Sequence, residues 1–188
     1  CKAGEGLGLP WIIGGILRDE NGREQRGARR GPVTPLAALT TFTGLSKLSC
    51  IRGINRHHEP MPEGLTPMST ISGACFMMDR ASFERLNGFD ERYFLHVEDI
   101  DLCRRARLAG GSVYCLPSAS ALHYGSTSDA RHFTVEREKL KSFNLYFWNY
   151  SNRPLARALC IAALPFLTLA ILGRASMSAL LSALLRLR

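Results

Sequence analysis

No acidic residue follows Glu138. Before position 139 there are 17 basic and 16 acidic residues; the last 50 positions hold 7 basic and no acidic ones, so almost all of the formal net charge of +8 sits in the tail. A nearly neutral body excludes a basic nucleic-acid-binding core, and a tail of one sign points to an anionic surface. The six cysteines include no C-x-x-C pair. Their spacing gives no zinc site, and their mostly apolar surroundings read as reduced, buried thiols. There is no internal repeat. The opening Cys1-Lys2-Ala3-Gly4 has neither an initiator Met nor an apolar leader, and a fragment is expected. At 46% hydrophobic and 21% charged, the 188 residues suit one sizeable core and exclude a disordered or collagenous chain.

The apolar run from Pro10 to Leu17 reads as a strand that turns at Asp19-Glu20-Asn21-Gly22, where Asn-Gly tolerates positive φ. Residues 26–67 carry many Gly, Pro, Thr and Arg without sustained periodicity and read as one long irregular stretch. Order returns with a buried-strand pattern over 69–78. Asp79 then caps a short helix through Leu86, closed by Asn87-Gly88. A second helix starts near Glu98, runs to Ala109 and stops at Gly110-Gly111. Strands are expected at 113–116 and 119–124, divided by Pro117. Residues 136–150 form a helix whose stripe of Leu140, Phe143, Phe147 and Tyr150 is read as packing. Strands and helices in this order indicate an α/β layered domain.

His96-Val97-Glu98-Asp99-Ile100-Asp101 is the most informative stretch. Acids at a helix start favour the positive end of the helix dipole, and Asp101 can pair with Arg104 or Arg105. That reading needs no chemistry. A second reading separates the acids: a helix burying Leu102, Ala106 and Ala109 puts Asp99 at the rim of the buried face, where it can meet a cleft. Such a carboxylate suits a general base acting on a hydroxyl. His57 and His58 lie in the irregular stretch and read as solvated.

Four blocks carry a resemblance: Gly73-Ala74-Cys75-Phe76-Met77-Met78-Asp79-Arg80, Asn87–Phe94, Glu98-Asp99-Ile100-Asp101-Leu102-Cys103-Arg104-Arg105, and His123-Tyr124-Gly125-Ser126-Thr127-Ser128. In this order, and preceded by Trp11–Arg30 with its turn, they resemble the family 2 inverting glycosyltransferases, nearest the rhamnosyltransferase-like branch. The resemblance implies an α/β fold, the acceptor-side part of a GT-A (Rossmann-like) domain over residues 1–153. It makes Glu98-Asp99 the family's ED pair, with Asp99 similar in role to the base that deprotonates the acceptor, and Asp101 its further acid. Gly73 and Ala74 fall where the chain passes the donor sugar and acceptor, and His96 is a candidate lining of the acceptor cleft. His123 matches a position that helps hold Mg²⁺ or Mn²⁺ on the diphosphate. The nucleotide-binding half and the remaining metal ligands are expected before residue 1, because no D-x-D precedes the irregular stretch. The chain alone is therefore expected to be inactive.

Residues 154–188 form an apolar, basic-flanked tail, uncharged over 158–173 and 175–185 and expected to be helical. Sixteen helical residues span about 24 Å, short of the hydrocarbon core, and Pro165 would kink them. A kinked span, a monotopic docking hairpin and a helix buried on a missing half all remain open. Two functions follow. One is nucleotide-sugar-dependent transfer to a glycan or lipid-linked saccharide, in cell-envelope polysaccharide synthesis at the cytoplasmic face of the membrane. The other is a non-catalytic, membrane-bound saccharide-binding remnant that lacks the donor half.

Overall fold

Trp11–Arg18 form strand β1, and seven of its eight residues are buried. A continuous rather than alternating apolar run is what a strand covered on both faces requires. In the computed structural model, which describes residues 2–48, 51–94, 96–124, 132–151 and scattered positions from 157 to 176, β1 lies at the centre of a sheet. It pairs in parallel with β6 (Ser112–Leu122), from Trp11 opposite Ser112 to Arg18 opposite Leu122. The strand does not end at Pro117, as expected, but slips register there: Gly14 faces Cys115, and Ile16 faces Ser120. Proline has no N–H to give a ladder, and the irregularity takes it up without breaking the strand.

Short antiparallel strands flank this pair, β3 (Thr66–Pro67) on β6 and β5 (Phe76–Met77) on β1. A second, two-stranded sheet joins β2 (Arg29–Arg30) to β4 (Thr70–Ile71). The single strand expected over 69–78 is thus divided between two sheets, because the chain turns at Ser72–Cys75.

Helix α2 (Arg80–Arg85) is capped by Asp79, whose carboxylate accepts from the Ser82 N–H at 2.8 Å. Asn87 and Gly88, at φ +56° and +66°, close it. Helix α3 (Glu98–Leu108) ends at Gly110, φ +78°. Its inner face supplies Leu102, Cys103 and Ala106 to a core shared with Ile12, Ile71, Leu86 and Val113. Burying side chains of this size stabilises by about 1.5–3 kcal/mol each.

These elements belong to one compact unit, made of residues 1–33, 54–92 and 98–127. The second unit takes the described residues of 34–53, 93–97 and 128–188. It contains a helix in the stretch read as irregular: α1 (Pro35–Thr43), with Thr34 accepting from the Ala37 N–H and Gly44 closing it at φ +83°. The three threonines hid it, since β-branched residues lower helix propensity. In place, their hydroxyls bond back along the helix, Thr41 to the Ala37 carbonyl at 2.7 Å and Thr43 to Leu39 at 2.8 Å. Helix α4 (His132–Tyr150) starts four residues earlier than expected. Glu136 interrupts the apolar stripe at that end; it is buried and paired with Lys139 at 2.7 Å. The stripe packs as expected, Phe143 meeting Phe42 edge-on at 5.3 Å.

The boundary at 153/154 falls outside the described residues. Described tail positions are helical, with Ile161, Phe166 and Leu169 exposed. Among the described residues no helix is long and apolar enough to cross a membrane. All three readings of the tail lie mostly on positions outside the described set.

Candidate active site

The first turn of α3 is launched from a strained dipeptide. His96 and Val97 both have positive φ, +60° and +76°. For a β-branched residue this is an outlier that costs of order 1–3 kcal/mol. Burial holds Val97 in place at 1% exposure. The strain immediately precedes the carboxylates.

Asp99 is 7% exposed. Its Oδ1 accepts from Arg30 Nη1 at 3.0 Å and its Oδ2 from the Gly73 N–H at 2.8 Å. Burial pushes the Asp99 carboxyl up, but the charge and hydrogen bond of Arg30, with the Gly73 N–H, outweigh it and hold the group below its ordinary range. A Cβ on Gly73 would sit 3.1 Å from the Asp99 Cβ, a tight contact that a glycine avoids. Gly73 and Ala74 are themselves exposed. The arrangement is therefore an ionised, oriented carboxylate beneath a thin, open turn.

Glu98 contrasts with it. Its Oε2 is buried with no hydrogen-bond partner. Burial, with the Asp99 charge adding to it, pushes its carboxyl up, so it takes a proton more readily than an ordinary glutamate. Asp101, 1% exposed, holds Arg105 Nε at 2.6 Å. Arg105 in turn donates to the carbonyls of Leu86 and Gly88, latching α3 to the turn after α2. The pairing at i+4 anticipated from charge pattern forms, and Asp101 is buried with it. His96 is exposed and belongs to the second unit. His58 is exposed as expected, but His57 is half-buried, with Nδ1 unpartnered and burial pushing its ring down.

His123 is half-buried just after β6. Its Nδ1 lies 2.8 Å from Gln25 Oε1, and its carbonyl accepts from Gln25 Nε2 at 2.5 Å. Residues 125–131, the rest of that block, lie outside the described set. Of the cysteines described, Cys103 and Cys115 are buried free thiols and Cys75 is half-buried; burial pushes Cys103 up to about 12. Cys1, Cys50 and Cys160 lie outside the described residues.

Arg30 and Gln25 are the site residues that sequence reasoning missed. Arg30 lies 69 positions from its partner and Gln25 98 from His123, and no local pattern signals pairs so distant. The one available hint was that both follow a well-formed turn within a segment carrying the resemblance.

Comparison with known proteins converges on this region. Residues 60–133 match a family described as the N-terminal domain of galactosyltransferase. The chain is 30% identical over 119 residues to an N-acetylglucosaminyl-diphospho-decaprenol L-rhamnosyltransferase of Mycobacterium tuberculosis, covering 63% of this chain and 39% of that protein. It is 34% identical over 89 residues to rhamnosyltransferase WbbL of Escherichia coli K12, covering 46% of this chain and 34% of that one. A hexosyltransferase of low-salt glycan biosynthesis in Haloferax volcanii is 24% identical over 123 residues, or 65% of this chain and 35% of that protein. The chain thus spans little more than a third of the length of these relatives. Their names disagree on the sugar and agree on glycosyl transfer, and the family match over 60–133 includes Gly73, Glu98, Asp99 and His123. Over these stretches the chain is similar to glycosyltransferases, rhamnosyltransferases among them.

Proposed function

We propose that this chain carries the acceptor side of an inverting glycosyl transfer from a nucleotide sugar, in a GT-A fold, with Asp99 as the base. The observation that supports it best is the Arg30–Asp99–Gly73 arrangement, a carboxylate kept charged and aimed beside an exposed turn. Each carboxylate oxygen has two lone pairs, so the bonds from Arg30 and Gly73 leave capacity for an acceptor hydroxyl. As that hydroxyl's oxygen attacks the anomeric carbon, its proton passes to Asp99. The bond to the diphosphate breaks with its electron pair on the leaving oxygen, and a single displacement inverts the centre. Gly73 and Ala74 border the acceptor, and Glu98 stands beside the base as a proton-retaining neighbour.

A divalent cation, Mg²⁺ or Mn²⁺, belongs to the proposal: when bound, it takes charge from the leaving diphosphate. Among the described residues no three His, Cys, Asp or Glu side chains stand close enough to hold one. The chain's contribution would be one imidazole, His123, added to the oxygen ligands that such an ion prefers. The acceptor we infer is a lipid-linked saccharide, of the kind named for the Mycobacterium relative, in cell-envelope glycan synthesis. The acid-free basic tail supports a site at the cytoplasmic face of a membrane.

Asp99→Asn in the intact enzyme tests the assignment. Turnover should fall by about a hundredfold or more while donor affinity is kept, because only the base is lost. Near-normal turnover would remove Asp99 from the role.

A further inference from the structure

Strand β1 ends in a tight turn. Asp19 Oδ1 accepts from the N–H groups of Asn21 at 2.9 Å and Arg23 at 2.8 Å, and Gly22 takes φ +74°. The chain then runs back along β1, with the Gln25 N–H donating to the Leu17 carbonyl at 2.8 Å. The next carbonyl, that of Arg18, accepts from the His123 N–H at 3.0 Å. Consecutive carbonyls of a strand point to opposite sides, so Gln25 and His123 flank the end of β1 and meet across it. Glu24 fixes the returning segment from its other face through a two-pronged ion pair with Arg29, at 2.8 and 2.7 Å, both side chains buried.

The hydrogen bonds between the two residues decide the state of the ring. A main-chain carbonyl only accepts, so the Gln25 atom 2.5 Å from the His123 oxygen is the amide nitrogen. The amide oxygen therefore faces Nδ1 at 2.8 Å, and an amide oxygen also only accepts. Nδ1 must carry the hydrogen. In a neutral ring the lone pair then sits on Nε2, the nitrogen turned away from Gln25. Metal-ligating histidines almost always donate their other ring N–H to a fixed acceptor in this way.

We propose that Gln25 is a positioning residue that locks His123 in its Nδ1–H tautomer and so presents Nε2 as the ligand for a divalent cation. The lock follows from the contacts alone. The cation rests on the function proposed above.

Long-range proton–nitrogen spectra of the ¹⁵N-labelled 188-residue chain at pH 8 test the lock. His123 should show a protonated Nδ1 and a bare Nε2. Gln25→Leu should release the ring to the Nε2–H form, whereas Gln25→Glu, which keeps an acceptor for Nδ1, should hold it. Circular dichroism checks that both variants fold, and if the leucine variant does not, the wild-type spectrum still decides. In the intact enzyme, Mn²⁺ with inorganic pyrophosphate should broaden the His123 ring signals, and the concentration required should rise about 10- to 100-fold in Gln25→Leu. An Nε2–H ring in the wild type, or an unchanged tautomer in folded Gln25→Leu, overturns the lock. A locked ring that Mn²⁺ never broadens upholds the lock and overturns the cation, so the two failures are told apart.

Discussion

Two neighbouring carboxylates, Glu98 and Asp99, are pushed in opposite directions by the same helix start. The Asp99 carboxyl is held below its ordinary value, so the unfolded chain binds more protons than the folded one as pH falls. The stabilisation from Asp99 is full above the ordinary aspartate range and drains away as pH drops through the lowered folded value. Charged groups facing Asp99 are Arg30 and Glu98, with the un-ionised Cys103 thiol nearby. Removing the guanidinium strands a buried charge, and we expect Arg30→Ala to cost about 3–5 kcal/mol at pH 7 in urea titrations. A change below 1 kcal/mol would mean that water replaces it freely. Glu98 has the reverse sign. Its carboxyl is raised, so its penalty is absent where it is protonated in both states and grows as pH rises through the window above its ordinary value. Glu98→Gln should therefore raise the melting temperature at pH 8, by the equivalent of about 1 kcal/mol, and change it little below about pH 4. Equal gains at both pH values would show that charge is not the cause. Of this residue-scale picture the sequence disclosed the acids and their order. It could not disclose Arg30, because an ion pair spanning 69 positions leaves no periodicity to read.

At the scale of elements, what was readable is what local chemistry dictates. The Asp79 cap, the Asn87-Gly88 stop, the start of α3 at Glu98 and the turn after β1 each follow from a few adjacent residues, and each is where it was expected. Helix α1 was readable in principle from Thr34-Pro35 and Gly44, an N-cap, a proline at the first position and a left-handed close. Its threonines masked it. The division of 69–78 between two sheets was not readable, since it depends on where Asp99 meets the Gly73 N–H. The joint between α3 and β6 also rests on a tertiary fact. A Cβ on Gly111 would fall 1.9 Å from the Pro10 carbonyl oxygen, which is backbone and cannot give way, whereas one on Gly64 meets nothing within 4 Å. Gly111→Ala should cost about 3 kcal/mol and Gly64→Ala less than about 0.5 kcal/mol, by urea unfolding of both. Equal costs would mean that the Pro10–Gly111 contact is slack.

On the scale of the whole molecule, the tail remains the strongest compositional signal and the least local one. A charge-free run marks apolar contact without saying whether lipid or protein provides it. Removing residues 154–188 should release the protein from anionic liposomes in a flotation assay, with apolar burial supplying most of the affinity and each arginine about 1 kcal/mol. Moderate salt should weaken the binding without abolishing it. If full-length and truncated proteins float alike, or neither floats, the tail packs on protein. The parallel pairing of β1 with β6 has a further consequence, in time rather than space. Trp11–Arg18 pairs briefly with Phe76–Met77 and finds its long parallel partner only at Ser112–Leu122, about a hundred residues later. At the usual pace of synthesis, about 5–20 residues per second, β1 waits of the order of ten seconds on the ribosome with its apolar run uncovered. Arg30 and Gln25 emerge early and Asp99 and His123 late, so a stalled nascent chain holds half of each pair. The Arg30–Asp99–Gly73 arrangement can close once Asp99 is out, and the contact between Gln25 and His123 closes last.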